Sequence, residues 1–298
     1  MWFLLSLLAL SMLVARRSTE KHVAGNINSL ALSWLQQAVA LPFILVTLFF
    51  AKFYWPSELS AHFWTTMALY VFLISIDIYC YFKALSIADV SFVAPLMTLV
   101  ALGNIAGAYF VLGQVPTIFG VAGAGLIVAG AAVTYNAKRK DSAQKHTSKL
   151  ALLLILLLVV VRSFNSNIEV SMLQVSNPTT FNFYSSVLAV PLLFFTSLLI
   201  ITTNKTDKYK GYWKGLKNDV KKHQWLLLFI GLTYTVNMLA TYEAKLIGPN
   251  AGYIGAIKSA SVLPMILVGV FIFKEKINKA QWLGLGVITA GLILLAFN

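Results

Sequence analysis

Residues 150–161 read LALLLILLLVVV, and nine other stretches of the chain are nearly as poor in polar side chains. Runs of this kind fix the solvent of the fold before any motif is considered. An amphipathic helix of a soluble domain shows polar residues every three or four positions. This run shows none, and the others recur at roughly 15–25 residues, the length that crosses a bilayer as a helix. Only 11% of the 298 residues are charged and 59% are hydrophobic, whereas soluble domains carry about 25% charged residues. No stretch alternates as a membrane barrel strand does. The sequence therefore predicts an all-α integral membrane protein.

The predicted spans are 1–15, 28–51, 62–86, 90–113, 117–135, 150–173, 179–202, 224–246, 249–273 and 280–297. Pro56, Asp89, Gly113 to Pro116, Asn177-Pro178 and Gly248-Pro249 stand in the linkers as breakers. The opening MWFLLSLLALSMLVA has the hydropathy of a signal peptide. It lacks a basic start, however, and Arg16 and Arg17 follow the apolar run. That order suits a retained first helix that starts outside and ends at or beyond the arginines.

Linkers after the odd spans hold 19 of the 23 lysines and arginines, including Arg16, Arg17 and seven lysines between Lys205 and Lys222. The other linkers hold Lys52 and Lys245. Basic residues gather in cytoplasmic loops, which predicts both termini outside a bacterial or archaeal plasma membrane. The net charge of +13 is then an orientation signal. AKRKDSAQKHTSK is short, lacks aromatics and sits between two spans, so no nucleic-acid partner is expected. The lone cysteine, Cys80, forms no internal disulfide.

The chain also repeats itself. At a shift of 161 residues Tyr81 falls on Tyr242, Gly123 on Gly284, Gly125 on Gly286, Ala129 on Ala290 and Gly130 on Gly291. At a shift of 149, Glu20 falls on Glu169, Trp34 on Phe183 and Pro42 on Pro191. Two five-span halves result, 1–137 and 149–298, joined by the basic linker 138–148. Five is odd, so the second half enters the bilayer upside down. Inverted repeats around a midplane site are the usual build of a secondary transporter.

Residues 81–130, YFKALSIADVSFVAPLMTLVALGNIAGAYFVLGQVPTIFGVAGAGLIVAG, and 242–291, YEAKLIGPNAGYIGAIKSASVLPMILVGVFIFKEKINKAQWLGLGVITAG, carry a family resemblance. They are similar to the third to fifth and eighth to tenth helices of EamA-type exporters of the drug/metabolite transporter superfamily. The acidic residue that follows the fourth helix of a half in that family is present as Glu275; its counterpart in the first half is Gln114. The resemblance implies a basket of ten helices, with spans 3, 4, 8 and 9 lining a cavity and spans 1, 2, 6 and 7 moving around it. Spans 5 and 10 would be peripheral.

Charged groups inside spans are the candidate site. From Leu246 to Phe273 the only charged side chain is Lys258, and an ion at the bilayer centre costs about 2.5–3.5 kcal/mol on insertion scales. Lys258 either joins an interhelical ion pair or faces the cavity and binds a carboxylate-bearing substrate. Asp77 is the matching anomaly in span 3 and must be protonated or paired. It could hold a coupling proton, touch substrate or pair with Lys258, from which helix depth separates it by about 8 Å. Arg162, Asn165 and Glu169 share one face of span 6, either as a hydrogen-bonded seam or as a substrate-facing surface. Glu243 could answer Lys258 from the outer rim, while Lys245 reads as a snorkelling lysine. Asn237, Tyr242 and Tyr253 are candidates by the spans that carry them, and Trp34 faces either cavity or lipid.

Gly123, Gly125 and Gly130 and their repeats do not form GxGxxG after a strand; small residues for close helix packing are expected. No histidine pair has metal spacing, no serine sits in a nucleophile elbow, and no P-loop is present. The chain is thus expected not to be an enzyme and to need no cofactor or metal. The leading function is a secondary carrier exporting small polar metabolites such as amino acids or organic ions, with possible proton coupling, as a monomer or weak homodimer. The alternative is a facilitative exchanger or a flippase of a lipid-linked or sugar-type substrate.

Overall fold

The computed structural model describes residues 1–23, 27, 29–87, 97–139, 149–203, 212–261, 263–264 and 279–297. Among them are eleven α-helices and no strand: α1 Trp2–Val23, α2 Ser29–Thr47, α3 Ala61–Ile87, α4 Val100–Leu112, α5 Ile118–Arg139, α6 Lys149–Gln174, α7 Pro178–Thr203, α8 Tyr212–Lys222, α9 Gln224–Ile247, α10 Ala251–Ser259 and α11 Lys279–Ala296. Ten of these fall on the ten predicted spans. Six are long and apolar enough to cross a bilayer, with shorter apolar helices beside them. Glu275 and most of the basic linkers lie outside the described residues.

The surface is inverted relative to a soluble protein. Phe110, Phe119, Leu153, Val160, Leu199 and Leu283 are exposed, a belt that acyl chains would cover. Pro42 lies inside α2 and Pro191 inside α7, at matching places in the two halves.

The first helix runs past residue 15 and the arginines to Val23, the longer of the two ends the sequence allows, carrying Arg16, Arg17 and Glu20 as half-buried residues. Arg16 faces the Tyr234 ring of α9 and Arg17 reaches Ser261, partners that a linear charge map cannot register. One element differs from the sequence reading. The linker after the seventh span contains α8, an amphipathic helix. Its Leu216 is buried with Val23, Ile27 and Leu227 at the ends of α1, α2 and α9, while Lys217, Lys221 and Lys222 are exposed.

The glycine repeats explain how the halves meet. A methyl group at Gly130 would lie 2.6 Å from the Gly284 carbonyl oxygen, and one at Gly284 2.7 Å from that of Gly130. Gly123 and Gly291 are reciprocally related in the same way. The contacts run 123 to 291 and 130 to 284, so α5 and α11 pack antiparallel with their backbones touching. Exchanging the halves maps this seam onto itself, because 123 corresponds to 284 and 130 to 291. The local two-fold axis therefore lies across the helices, as two inverted repeats require.

The other extensive helix pairings also cross between halves: α1 on α9, α3 on α6, α4 on α10, and α2 on both α7 and α9. Gly252 and Gly255 let α10 come against Ile105 and Asn104 of α4, and Gly231 of α9 meets the Val39 carbonyl of α2. Each buried apolar cluster among the described residues draws on both halves.

Candidate functional site

The site is built on α10, whose two faces differ. Tyr253, Ala256, Ile257 and Ala260 are buried in an apolar cluster with Ala101, Ile105, Ala124 and Ile127 of α4 and α5. Lys258 and Ser261, three residues apart, point the other way, toward α9 and α1. Lys258 Nζ donates to Thr241 Oγ1 of α9 at 3.2 Å, and Ser261 Oγ accepts from Arg17 Nη1 of α1 at 3.4 Å. The start of α10 is anchored independently. Asn250 caps it by accepting from the Gly252 N–H at 2.8 Å, and Gln114 Oε1 accepts the Ala251 N–H at 2.9 Å. At about 1.5 Å per residue, Lys258 sits about 10 Å below that anchored end.

Lys258 is half-buried, and among the described residues no carboxylate lies within ion-pair distance of its ammonium. One hydroxyl occupies it. Its electrostatic surroundings are Glu169, Lys245, Arg16 and Arg17.

Lys245 is the contrasting case. It does not snorkel: the residue is 4% exposed. Its ammonium donates to Ser166 O at 2.9 Å, Ser166 Oγ at 2.8 Å and Glu169 Oε2 at 2.5 Å. An ammonium has three protons, and all three are used. The other Glu169 oxygen accepts from Tyr70 Oη of α3 at 2.9 Å. Each Glu169 oxygen thus holds one donor, and among the described residues Lys258 has no ion-pair partner.

Asp77 does not reach Lys258. Arg162 of α6 holds its carboxylate in a two-bond fork, Nε to Oδ1 at 3.0 Å and Nη2 to Oδ2 at 2.8 Å. Arg162 keeps 31% of its side-chain surface exposed and Asp77 keeps 14%. On α1, Arg16 Nε approaches Glu20 Oε1 at 3.2 Å, and its guanidinium carbon lies 5.2 Å from the centre of the Tyr234 ring. Interior to the bundle, then, among the described residues, stand Arg16, Arg17, Arg162, Lys245 and Lys258 against Glu20, Asp77 and Glu169.

The other sequence candidates separate cleanly. Tyr242, 2% exposed, meets Phe181 edge-on, with ring centres 5.1 Å apart, in an apolar cluster that also holds Tyr70. Trp34 is half-buried, stands edge-on to Phe194 at 5.3 Å, and packs on two apolar clusters. Glu243 is exposed, on the side of α9 opposite to Thr241 and Lys245. Asn237 Nδ2 donates to the Ala9 carbonyl of α1, a seam between helices. Tyr253 Oη accepts from the Thr117 N–H at 2.7 Å and so fastens α10 to the start of α5, away from Lys258. Span membership alone could not tell these faces apart. The Lys245–Glu169 pair did leave a signal: two opposite charges near the ends of spans 8 and 6.

One end of the bundle carries an aromatic closure. The connector between α2 and α3 folds onto the start of α7: the Tyr54 N–H donates to Thr180 Oγ1 at 3.2 Å, Tyr184 Oη donates to the Tyr54 carbonyl at 3.1 Å, and Asn177 Nδ2 donates to the Lys52 carbonyl. Phe53 packs between Phe183 and Tyr184 with centres 5.4 and 5.5 Å away, and Trp64 meets Tyr184 at 5.0 Å.

Comparison with known proteins adds the following. The model of the EamA-like transporter family matches residues 1–136 and 149–297. An uncharacterized transporter encoded in the cobO 3' region of a Sinorhizobium species is 31% identical over 87 residues, 29% of this chain. The match spans 60% of that relative's length. A protein of known crystal structure superposes with a TM-score of 0.69 over 99% of this chain and 96% of its own, at 14% identity; at that identity the likeness concerns the fold.

Proposed function

The chain belongs to the EamA-like transporter family, a multi-pass membrane transporter, and from that premise we propose that it is a secondary carrier for small polar metabolites. Amino acids or organic ions are the substrate class, export across the plasma membrane is the direction, and both termini lie outside. The observation that carries this reading is Lys258: an interior, half-buried lysine whose ammonium holds one hydroxyl and, among the described residues, has no carboxylate at ion-pair distance. A cation kept this way costs free energy in the empty protein, about 2.5–3.5 kcal/mol on insertion scales. A bound anionic group offsets that cost.

Alternating access is supported by two features. The antiparallel α5–α11 seam joins two oppositely inserted halves, which can rock about it. The aromatic closure at the α2–α3 connector ties the two halves together at one end of the bundle, where an opening motion has to break it. Tyr70, Glu169 and Lys245 tie α3, α6 and α9 together beside Lys258, so moving α6 alters the charge that Lys258 meets. That link is where a coupling proton would act.

Reconstitution tests the reading. Vesicles holding the wild type take up labelled amino acids or organic acids, and a pH gradient changes the rate. Lys258→Ala abolishes the flux while the purified variant melts as a folded protein. Uptake that is indifferent to Lys258→Ala overturns the assignment. Lipid-headgroup movement in the same vesicles, with no solute flux, would favour a flippase instead.

A further inference from the structure

The exposed side of α9 changes character along its length. Leu228, Phe229 and Leu232 are exposed on one side of the helix, and Trp225 stands about one turn before them, 76% exposed. Indole rings gather where acyl chains give way to headgroups. Trp225 therefore marks that boundary at the end of the bundle where α7 finishes and α9 begins.

The same side continues into α8. The His223 N–H donates to the Asp219 carbonyl and the Leu227 N–H to the His223 carbonyl, both at 3.0 Å. Helical register is thus kept across the junction, although His223 itself departs from helical angles, with φ −110° and ψ 20°. Steps of four residues back from Trp225 arrive at Lys221 and then Lys217, and such steps stay on one side of a helix. Lys222 stands beside them. All three lysines are exposed, and among the described residues none has an ion-pair partner. Asp219, the one acid of α8, falls on another side. The helix is held to the bundle by Leu216, buried with Val23 and Ile27 of the first half and Leu227 of the second.

We propose that Lys217, Lys221 and Lys222 form a docking surface for the headgroups of anionic phospholipids. A rise of about 1.5 Å per residue puts Lys221 about 6 Å beyond Trp225, inside the headgroup layer. Ammonium groups on flexible four-carbon stems adjust to phosphates around them. A zwitterionic headgroup brings a cation that opposes the lysines; an anionic one does not. The surface lies apart from Lys258 and is independent of what is carried. Because Leu216 rests on Val23 and Ile27, a lipid-held α8 also fastens the end of α1 to the start of α9, so anionic lipid stabilises the fold.

The test reconstitutes the full chain in phosphatidylcholine bilayers and replaces part of the lipid with dibrominated phosphatidylglycerol or dibrominated phosphatidylcholine. Quenching at Trp225 is the part of the fluorescence signal that Trp225→Phe removes. Phosphatidylglycerol is preferred by at least about fivefold, the contribution of one lysine near an anionic surface, and the preference falls as salt rises. Replacing Lys217, Lys221 and Lys222 together by glutamine abolishes it, and replacing them by arginine keeps it. Phosphatidylglycerol added in detergent raises the melting temperature of the wild type and not that of the glutamine protein. Lys149→Gln with Lys279→Gln, at exposed positions on other helices, leaves the preference unchanged. A preference that survives in the glutamine protein, or is lost equally in the Lys149 and Lys279 variant, overturns the surface. A wild type that does not distinguish the two lipids, or does so regardless of salt, overturns it without recourse to any variant and leaves the lysines to a soluble acidic partner.

Discussion

Asp77 of the first half and Arg162 of the second face each other through two parallel hydrogen bonds of 3.0 and 2.8 Å. Removing either partner leaves the other partly buried and unmatched. Breaking a fully buried pair costs 3–5 kcal/mol, and the 31% exposure of Arg162 lowers that to about 1–3 kcal/mol. Asp77→Asn and Arg162→Gln should each lower the melting temperature, and Asp77→Leu with Arg162→Met should lose less than the sum of the two. Thermal unfolding of the four proteins in one detergent checks the coupling.

Lys245 is saturated and Glu169 is its counter-ion. Lys245→Met exposes a buried carboxylate and should cost about 3 kcal/mol, whereas Tyr70→Phe removes a single hydrogen bond to a charged group and should cost about 1.5 kcal/mol. Glu169→Gln in a Lys245→Met background should recover part of the loss. Chemical denaturation read by tryptophan fluorescence distinguishes these magnitudes.

Glycines of the α5–α11 seam fall into two classes that sequence repetition cannot separate. Gly130→Ala and Gly284→Ala push a methyl into a carbonyl oxygen less than 3 Å away and should destabilise the protein. Gly125 and Gly286 correspond to each other in the repeat, yet a methyl there meets nothing within 4 Å. Gly125→Ala and Gly286→Ala should be neutral or stabilising by up to about 1 kcal/mol, through helix propensity. Melting temperatures of the four single variants decide it.

The aromatic closure offers a mechanical test of alternating access. With Cys80 replaced by serine, Tyr54→Cys and Thr180→Cys place two thiols where a backbone N–H now meets a hydroxyl at 3.2 Å. A short bifunctional maleimide joining them should stop transport, while each single-cysteine variant treated the same way keeps working. Undiminished flux in the cross-linked protein would mean that this end does not open.

Ten spans, their inversion and the close-packed glycines were readable because they depend on runs and repeats along one chain. Partner choice was not. Lys245, two residues from the end of its helix, looked able to reach the headgroups; the serine and glutamate that retain it lie on α6, nearly 80 residues earlier. Arg16 and Arg17 looked like loop charges because they follow an apolar run, but Tyr234 and Ser261 receive them inside the bundle. Tyr253 and Lys258 share one helix of nine residues, and only its azimuth, set by α4 and α5, decides which of them faces Thr241.

The pairings between halves have a consequence for how the protein is made. A ribosome that has just delivered residues 1–137 into the lipid has inserted Asp77 about 85 positions ahead of the guanidinium that will neutralise it, and α5 ahead of the helix that fills its glycine groove. The early half waits as a loosely assembled guest of the insertion machinery. Its charges and grooves are completed in the order in which they entered: α6 closes Asp77 first, and α11 locks the seam afterwards.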